Sequence, residues 1–342
     1  MIEISLIELY KTYHKETGLY RVLEKKGCKH TLFSFYNVPK KKFKNKIEII
    51  VQELGCLFIL SFHFHKFRNK KNICLGGHYA FLFFTKVFPF FLSKDYHLFI
   101  YNFYLHKLGR YTLIKTILRW LLSSKSVTLI VQSPNEINYY SNLVKNKPIF
   151  VPYCADFSPL VNDTFSQKKK YLFTGGYTNR DYKTFVQCVK ELPFIDFVAV
   201  ISDITSDIDN TQIPENLTLL KELHKDEFHN LLAHSAGVII PLKDDVGSSG
   251  QMLSVAALFY NKNVAYTNFS TINYYFSSFN IGFPFESNNV ESMKKTIIQL
   301  WSDSKNESSF NQIYLNNFTT EKRNNELYRI ITSSNHKIYY GV

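Results

Sequence analysis

Glycine is scarce in this chain, 13 in 342 residues, where average usage would supply about 24. With so few, the places where they cluster are informative: the doublets Gly76-Gly77 and Gly175-Gly176, and the close pair Gly247 and Gly250. Cysteine pairing is also lacking. The five cysteines, at positions 28, 56, 74, 154 and 188, are odd in number and include no Cys-x-x-Cys. That argues against a disulfide framework or a zinc site and for thiols in a reducing compartment. Long hydrophobic runs are missing. The longest, Tyr79–Leu92, has 14 residues and is broken by Lys86 and Pro89, short of the roughly 20 that span a bilayer. The opening MIEISLIELY has no basic segment followed by an apolar core, so no secretory signal is expected. Internal repeats and low-complexity segments are not evident. A cytoplasmic setting follows, with the inner face of the cell membrane as a candidate docking surface.

What is present is an ordinary globular balance, 45% apolar and 20% charged, enough for two packed cores. The net charge of +13 is uneven. Residues 1–167 carry 24 Lys and Arg against 10 Asp and Glu, a balance of +14, and residues 168–342 carry 17 against 18. A basic half joined to a neutral half suggests two domains with different partners, the first facing something anionic. Nucleic acid, an acidic membrane surface and phosphorylated substrates all qualify.

The first half alternates strand and helix. Ile2–Leu9, Thr31–Tyr36, Cys56–His63, Asn72–Leu75, His97–Asn102, Thr128–Gln132 and Pro148–Pro152 read as strands, with helices at Gly18–Lys26, Ile47–Leu54, Leu108–Leu122 and Glu136–Leu143. Basic Lys40–Lys46 reads as an exposed loop. After polar Asp156–Lys170 the rhythm restarts, from Tyr171–Thr174 through Phe194–Ile201, Asn216–Leu220, Gly237–Leu242 and Val264–Thr267. The economical reading is α/β: two doubly wound, Rossmann-like domains over residues 1–155 and 171–342, a linker over 156–170, and a ligand cleft between the domains.

Two stretches carry chemistry. In YLFTGGYTNRDYKTF (Tyr171–Phe185) a strand runs into two glycines and then a helix start bearing Arg180 and Asp181. Glycines admit a ligand close to the backbone, a helix N-terminus offers free N–H groups to an anion, and Arg180 could add a charge-assisted bond. The bland alternative is a tight turn with Asp181 as a helix cap. In GVIIPLKDDVGSSGQMLSVAALFYNKNVAYT (Gly237–Thr267), Ser248, Ser249, Gly250 and Gln251 stand where a helix begins. They can present donors to a diphosphate, or Ser249 can simply cap the helix. Two such loops at strand ends favour one shared phosphate site.

These stretches, with LHKDEFHNLLAHSAGVIIPL (Leu223–Leu242), resemble the donor-binding domain of GT-B glycosyltransferases, which use nucleotide-activated sugars. The resemblance covers about residues 170–285; in the first half only the strand–helix rhythm and VPYCAD (Val151–Asp156) support it. It implies that Gly175, Gly176 and Tyr177 line the interdomain cleft and that Ser248, Ser249, Gly250 and Gln251 hold the diphosphate, assisted by Arg180. Leu223 and His224 would meet the nucleobase. Many retaining members carry two glutamates eight residues apart, the second gripping the donor ribose. Here Ala256 stands in that place, no Glu lies between Glu227 and Glu286, and Asp244 and Asp245 are the nearest carboxylates.

The first half would then supply the acceptor site and base. His14, in KTYHKETG, occupies the loop after the first strand, where inverting members often keep a catalytic histidine; a positioned imidazole there could take the acceptor proton. Glu16 is the other candidate, and a solvated loop histidine is the plain alternative. His63, His65 and His78 rank lower, and no metal or other cofactor is expected. KLGRYTLIKTILRWLLSSK (Lys107–Lys125) places Leu108, Tyr111, Ile114, Ile117, Leu118 and Leu121 at helical spacing among basic residues, as in helices that lie on anionic surfaces. The resulting expectation is a glycosyltransferase acting on a nucleotide diphosphate-sugar and a glycan or lipid-linked glycan in surface polysaccharide assembly. A nucleotide-sugar epimerase of the same fold is one rival. The other is a noncatalytic basic protein that binds membrane or nucleic acid, though no nucleic-acid motif is recognisable.

Overall fold

The computed structural model describes residues 3–10, 18–36, 55, 58, 62, 72–76, 80–101, 103, 112–159, 169–202, 208, 213–245, 247–303 and 309–333. The chain divides into two units, Met1–Pro152 with Thr320–Val342, and Tyr153–Thr319.

The first unit is built on strands β1 (Glu3–Tyr10), β2 (Lys29–Tyr36), β3 (Asn72–Gly76), β4 (His97–Tyr101), β5 (Val127–Val131) and β6 (Ile149–Phe150). They form a parallel sheet in the order β2-β1-β3-β4-β5-β6. Every residue of β4 and β5 is buried, as expected for central strands covered on both faces. Alternation sends Leu98 and Ile100 to one face, with Leu82, Leu118 and Leu122 from helices α2 (Ala80–Val87) and α3 (Thr112–Leu122). Phe99 and Tyr101 go to the other face, with Leu19 and Leu23 of α1 (Leu19–Lys25). Helix α4 (Pro134–Ser141) follows β5, and its start is fixed by a capping box. The Glu136 carboxylate accepts from the Ser133 amide at 3.1 Å, a device worth about 1 kcal/mol.

The second unit repeats the plan. Strands β7 (Tyr171–Gly175), β8 (Asp196–Ile201), β9 (Leu217–Lys221), β10 (Gly237–Ile240), β11 (Val264–Thr267) and β12 (Phe283–Phe285) lie in the order β12-β11-β10-β7-β8-β9, all parallel. Helices α5 (Tyr182–Lys190) and α9 (Val290–Ser302) bury Phe185, Val189, Met293 and Ile297 against Leu172, Phe197 and Ile239 on one face. The opposite face, with Phe173, Val200 and Ile240, is covered by α6 (Lys225–His234), α7 (Gln251–Phe259), α8 (Ser270–Phe276) and α10 (Ser309–Asn317). Truncating the fully buried Phe185 to Ala would cost about 3–5 kcal/mol.

Three sequence expectations change. The strand expected over Cys56–His63 is helical at the two positions described there, Phe58 and Phe62, as is Gly55 just before it. Phe58 and Phe62, four apart, meet edge to face at 4.9 Å, a helical spacing. Helices α8 and α10 were not foreseen. The boundary at 171–342 also shifts. Residues 153–159 cluster with the second unit, and α11 (Thr320–Thr332) packs on the first, where Leu327, Ile330 and Ile331 join Ile4, Leu19 and Leu23. Cys28, Cys74, Cys154 and Cys188 form no disulfide among the described residues. Among the described residues, no helix is long and apolar enough to cross a membrane.

Candidate functional site

Strand order in the second sheet reverses between β7 and β10: β8 and β9 lie to one side and β11 and β12 to the other. The loops leaving the carboxyl ends of β7 and β10 therefore meet at the topological switch point, where open α/β sheets bind ligands. Gly175 closes β7 because a Cβ there would press into the Phe228 ring at 2.6 Å. Gly176 has φ +127, and a Cβ on it would collide with the guanidinium of Arg180. Arg180 thus folds back over the doublet, donating from Nε to the Gly175 carbonyl at 3.1 Å and from Nη1 to the Thr178 carbonyl at 2.8 Å.

The second loop is stitched to the first. Arg180 and Leu242 form an antiparallel bridge, the Asp181 amide donates to the Pro241 carbonyl at 3.0 Å, and the Lys243 amide to the Asn179 carbonyl at 3.2 Å. Asn179, at φ +55, completes the clasp: its Nδ2 donates to the Asp244 carbonyl at 2.7 Å and its Oδ1 accepts from the Asp244 amide at 3.3 Å. Asp181 caps α5, accepting from the Thr184 amide at 3.1 Å.

Electrostatically, the loop is dominated by Arg180, which is half-buried. No carboxylate pairs with Arg180 among the described residues, and burial lowers its pKa from the ordinary arginine value. Below it, the Tyr182 hydroxyl donates to the Gly176 carbonyl at 2.8 Å, and burial pushes that phenol up to about 12. A partly desolvated cation gains from an anion that compensates its charge.

At the start of α7, Gly250 is the N-cap residue at φ +81 and, as a glycine, brings no side-chain cap of its own. Ser249 is buried but is not the cap, so the reading of Ser249 as a helix cap is corrected. Only glycine fits at 250, since a Cβ would lie 2.8 Å from Ile272 and 3.1 Å from Ile240. The N-terminal turn of α7, at the positive end of the helix dipole, suits an anion.

No family model and no curated protein matches the chain. Its structure, however, is similar to solved structures. Sucrose-phosphate synthase from Thermosynechococcus elongatus matches over 98% of this chain and 100% of that one, at TM-score 0.68 and 10% identity. WaaG, a glycosyltransferase involved in lipopolysaccharide biosynthesis, matches over 96% and 100%, at TM-score 0.60 and 13% identity. Anabaena HepE, in complex with UDP and glucose, matches over 97% and 100%, at TM-score 0.63 and 10% identity. The chain has the GT-B fold.

Within this GT-B chain, the residues singled out from sequence fall into three groups. Gly175, Gly176 and Arg180, with the loop leading to Ser248, Ser249, Gly250 and Gln251, are brought together by the clasp at the switch point. Tyr177, Leu223 and His224 lie past the strands on the β8 and β9 side. Tyr177 is half-buried, and its phenol is raised by burial and by the charge of Glu222. Leu223 packs against the apolar cluster, and His224 caps α6, its amide donating to Glu227 Oε2 at 3.2 Å with its ring exposed. His14, Glu16, His63, His65 and His78 lie outside the described residues.

The position expected to grip the ribose is closed. Ala256 is 1% exposed within the apolar cluster that includes α7. Asp245 is committed elsewhere, accepting from the Ser270 amide at 3.2 Å, the Ser270 hydroxyl at 2.9 Å and the Thr271 hydroxyl at 3.3 Å. Sequence reasoning missed three residues here. Thr267 Oγ1 accepts from the Leu242 amide at 2.8 Å and pins the second loop. Thr174 Oγ1 is buried without a partner among the described residues, one residue before the glycines. Glu222 ends β9 at φ +49.

Proposed function

We propose that this chain is a glycosyltransferase that transfers a sugar from a nucleotide diphosphate-sugar to a glycan or lipid-linked glycan acceptor in surface polysaccharide assembly. The observation that carries the reading is Arg180: a half-buried cation without a carboxylate partner among the described residues, bridged at the switch point to the loop that leads to the glycine N-cap of α7. In the reaction, the bond between the donor sugar carbon and the diphosphate oxygen breaks and a bond to the acceptor oxygen forms. Arg180 and the α7 amides then stabilise charge gathering on the leaving diphosphate. The acceptor hydroxyl loses its proton to a base, for which His14 and Glu16 are the candidates. No metal or other cofactor enters this reading, so turnover should survive a chelator.

The experiment is calorimetry with nucleoside diphosphates on the full chain and on Arg180→Met. Binding by the wild type and a loss of at least tenfold in the variant are expected; equal affinities would remove Arg180 from the site. Incubating nucleotide sugars without acceptor separates the epimerase alternative, which would yield an isomerised donor.

The acceptor side of the proposal rests on the first unit. Adjacent helices α2 and α3 expose Phe83, Val87, Ile117 and Trp120 beside Lys86, Lys115 and Arg119, and Phe90 next to α2 is 74% exposed. Apolar tips among cations suit an anionic membrane surface, where a lipid-linked acceptor would reside.

A further inference from the structure

Five non-glycine residues adopt positive φ among the described residues; four are asparagine and the fifth is Glu222, at φ +49. Asparagine tolerates that conformation and glutamate has no such dispensation, so a glutamate held there indicates a position fixed by its surroundings. The Glu222 amide donates to the Ile201 carbonyl at 3.3 Å, and its Oε1 accepts from the hydroxyl of buried Ser202 at 2.8 Å. Oε2 has no partner among the described residues.

Position gives this carboxylate its meaning. Strands β7, β8 and β9 are consecutive neighbours in register, Gly175 beside Val200 and Ile201 beside Lys221. Tyr177, Ser202 and Glu222 therefore stand just past three adjacent strand ends. The step from the Gly176–Arg180 loop to Glu222 is two strand spacings, about 10 Å, the scale of a nucleoside extending from its phosphate. On the other side of the switch point, Asp245 is taken up by Ser270 and Thr271. Tyr177 is half-buried past the end of β7, and its phenol is raised first by that burial and then by the charge of Glu222. An aromatic ring and a carboxylate thus sit together where a base would lie.

We propose that Glu222 reads the nucleobase of the donor and that the donor is a guanosine diphosphate sugar. The proposal rests on the nucleotide-sugar reading above. An ionised carboxylate only accepts hydrogen bonds, at about four lone-pair sites, so Ser202 leaves it ample capacity. Guanine presents two adjacent donors, N1–H and N2–H, which match a carboxylate in a two-point, charge-assisted pair. Uracil and thymine present one N–H flanked by two carbonyl oxygens, which a carboxylate repels. Adenine and cytosine present an amino donor beside an acceptor. Tyr177 supplies a ring face against which the base can lie.

The test is calorimetry of the full chain with GDP, UDP, ADP, CDP and dTDP, repeated on Glu222→Gln and Glu222→Gly. The glycine variant suits φ +49 and removes the carboxylate without backbone strain; thermal unfolding checks that both variants fold. The wild type should bind GDP at least tenfold more tightly than UDP. Glu222→Gly should erase that preference, and Glu222→Gln, whose amide pairs with uracil through one donor and one acceptor, should bring UDP level with GDP. A wild type that binds UDP as tightly as GDP overturns the base assignment and leaves the donor reading standing. So does an equal loss for all five nucleotides in both variants, which marks a ribose contact. Failure of every nucleotide to bind overturns both.

Discussion

The guanidinium of Arg180 occupies the space that a side chain at Gly176 would need. Glycine at 176 and arginine at 180 are thus one device, each position meaningful through the other. Gly176→Ala would have to displace Arg180 and also hold φ +127, a conformation costing a side-chain-bearing residue of order 1–3 kcal/mol. The expected outcome is a soluble protein whose nucleoside diphosphate affinity falls at least tenfold, equivalent to about 1.4 kcal/mol. Titration calorimetry with circular dichroism checks it; full affinity in the alanine variant would separate the two residues.

Asp245 distinguishes a structural carboxylate from a ligand-binding one. Its three hydrogen bonds hold the start of α8, so Asp245→Ala should destabilise the second unit by about 1–2 kcal/mol. Thermal melts would show a drop of several degrees, while nucleotide affinity in the folded variant stays within twofold.

His229 predicts a pH dependence. It is buried in α6 against Phe157, Phe228 and Tyr260, and its Nδ1 has no partner among the described residues. Burial first, then the Lys225 charge, lowers its pKa, with Asp226 opposing. The unfolded state, titrating near the ordinary histidine value of about 6.5, then binds protons before the folded state does. Its contribution is full above that value and is lost as pH falls toward the depressed folded value. Denaturant midpoints between pH 7.5 and 5 should fall more steeply for the wild type than for His229→Phe; parallel slopes would remove His229 as the cause.

The exposed rim of α2 and α3 predicts membrane binding. Flotation with vesicles containing anionic lipid should recover the wild type and lose Trp120→Ser combined with Arg119→Ser. Raised salt should weaken the wild type as well, since surface charge is screened within a Debye length of about 10 Å at 0.1 M. Recovery that is indifferent to both changes would place the contact elsewhere.

Strands were the most legible part of the chain, because a central parallel strand such as β4 declares itself as an unbroken apolar run and its flanking turn residues mark the ends. The loops at Gly175-Gly176 and Gly250 were legible for a related reason, glycine being rare here and needed wherever φ is positive or a neighbour presses close. Cys56–His63 misled because a run of apolar and aromatic residues has no period to separate strand from helix. Phe58 and Phe62 resolve it only once their rings are seen to meet. Ser249 looked like a cap by type, but Gly250 takes that place through its left-handed backbone. Glu222 was invisible, since its role comes from a dihedral angle and from Ser202, twenty residues away.

Helix α11 buries Leu327, Ile330 and Ile331 against Leu19 and Leu23, so the first sheet lacks part of its cover until residues 320–332 arrive. During synthesis the second unit can be complete while the first still waits for its closing helix. The basic, aromatic-rich unit therefore spends the longest interval with an uncovered apolar face. A fragment ending at residue 319 should be insoluble for that reason, and a polypeptide joining residues 1–152 directly to 320–333 should rescue it.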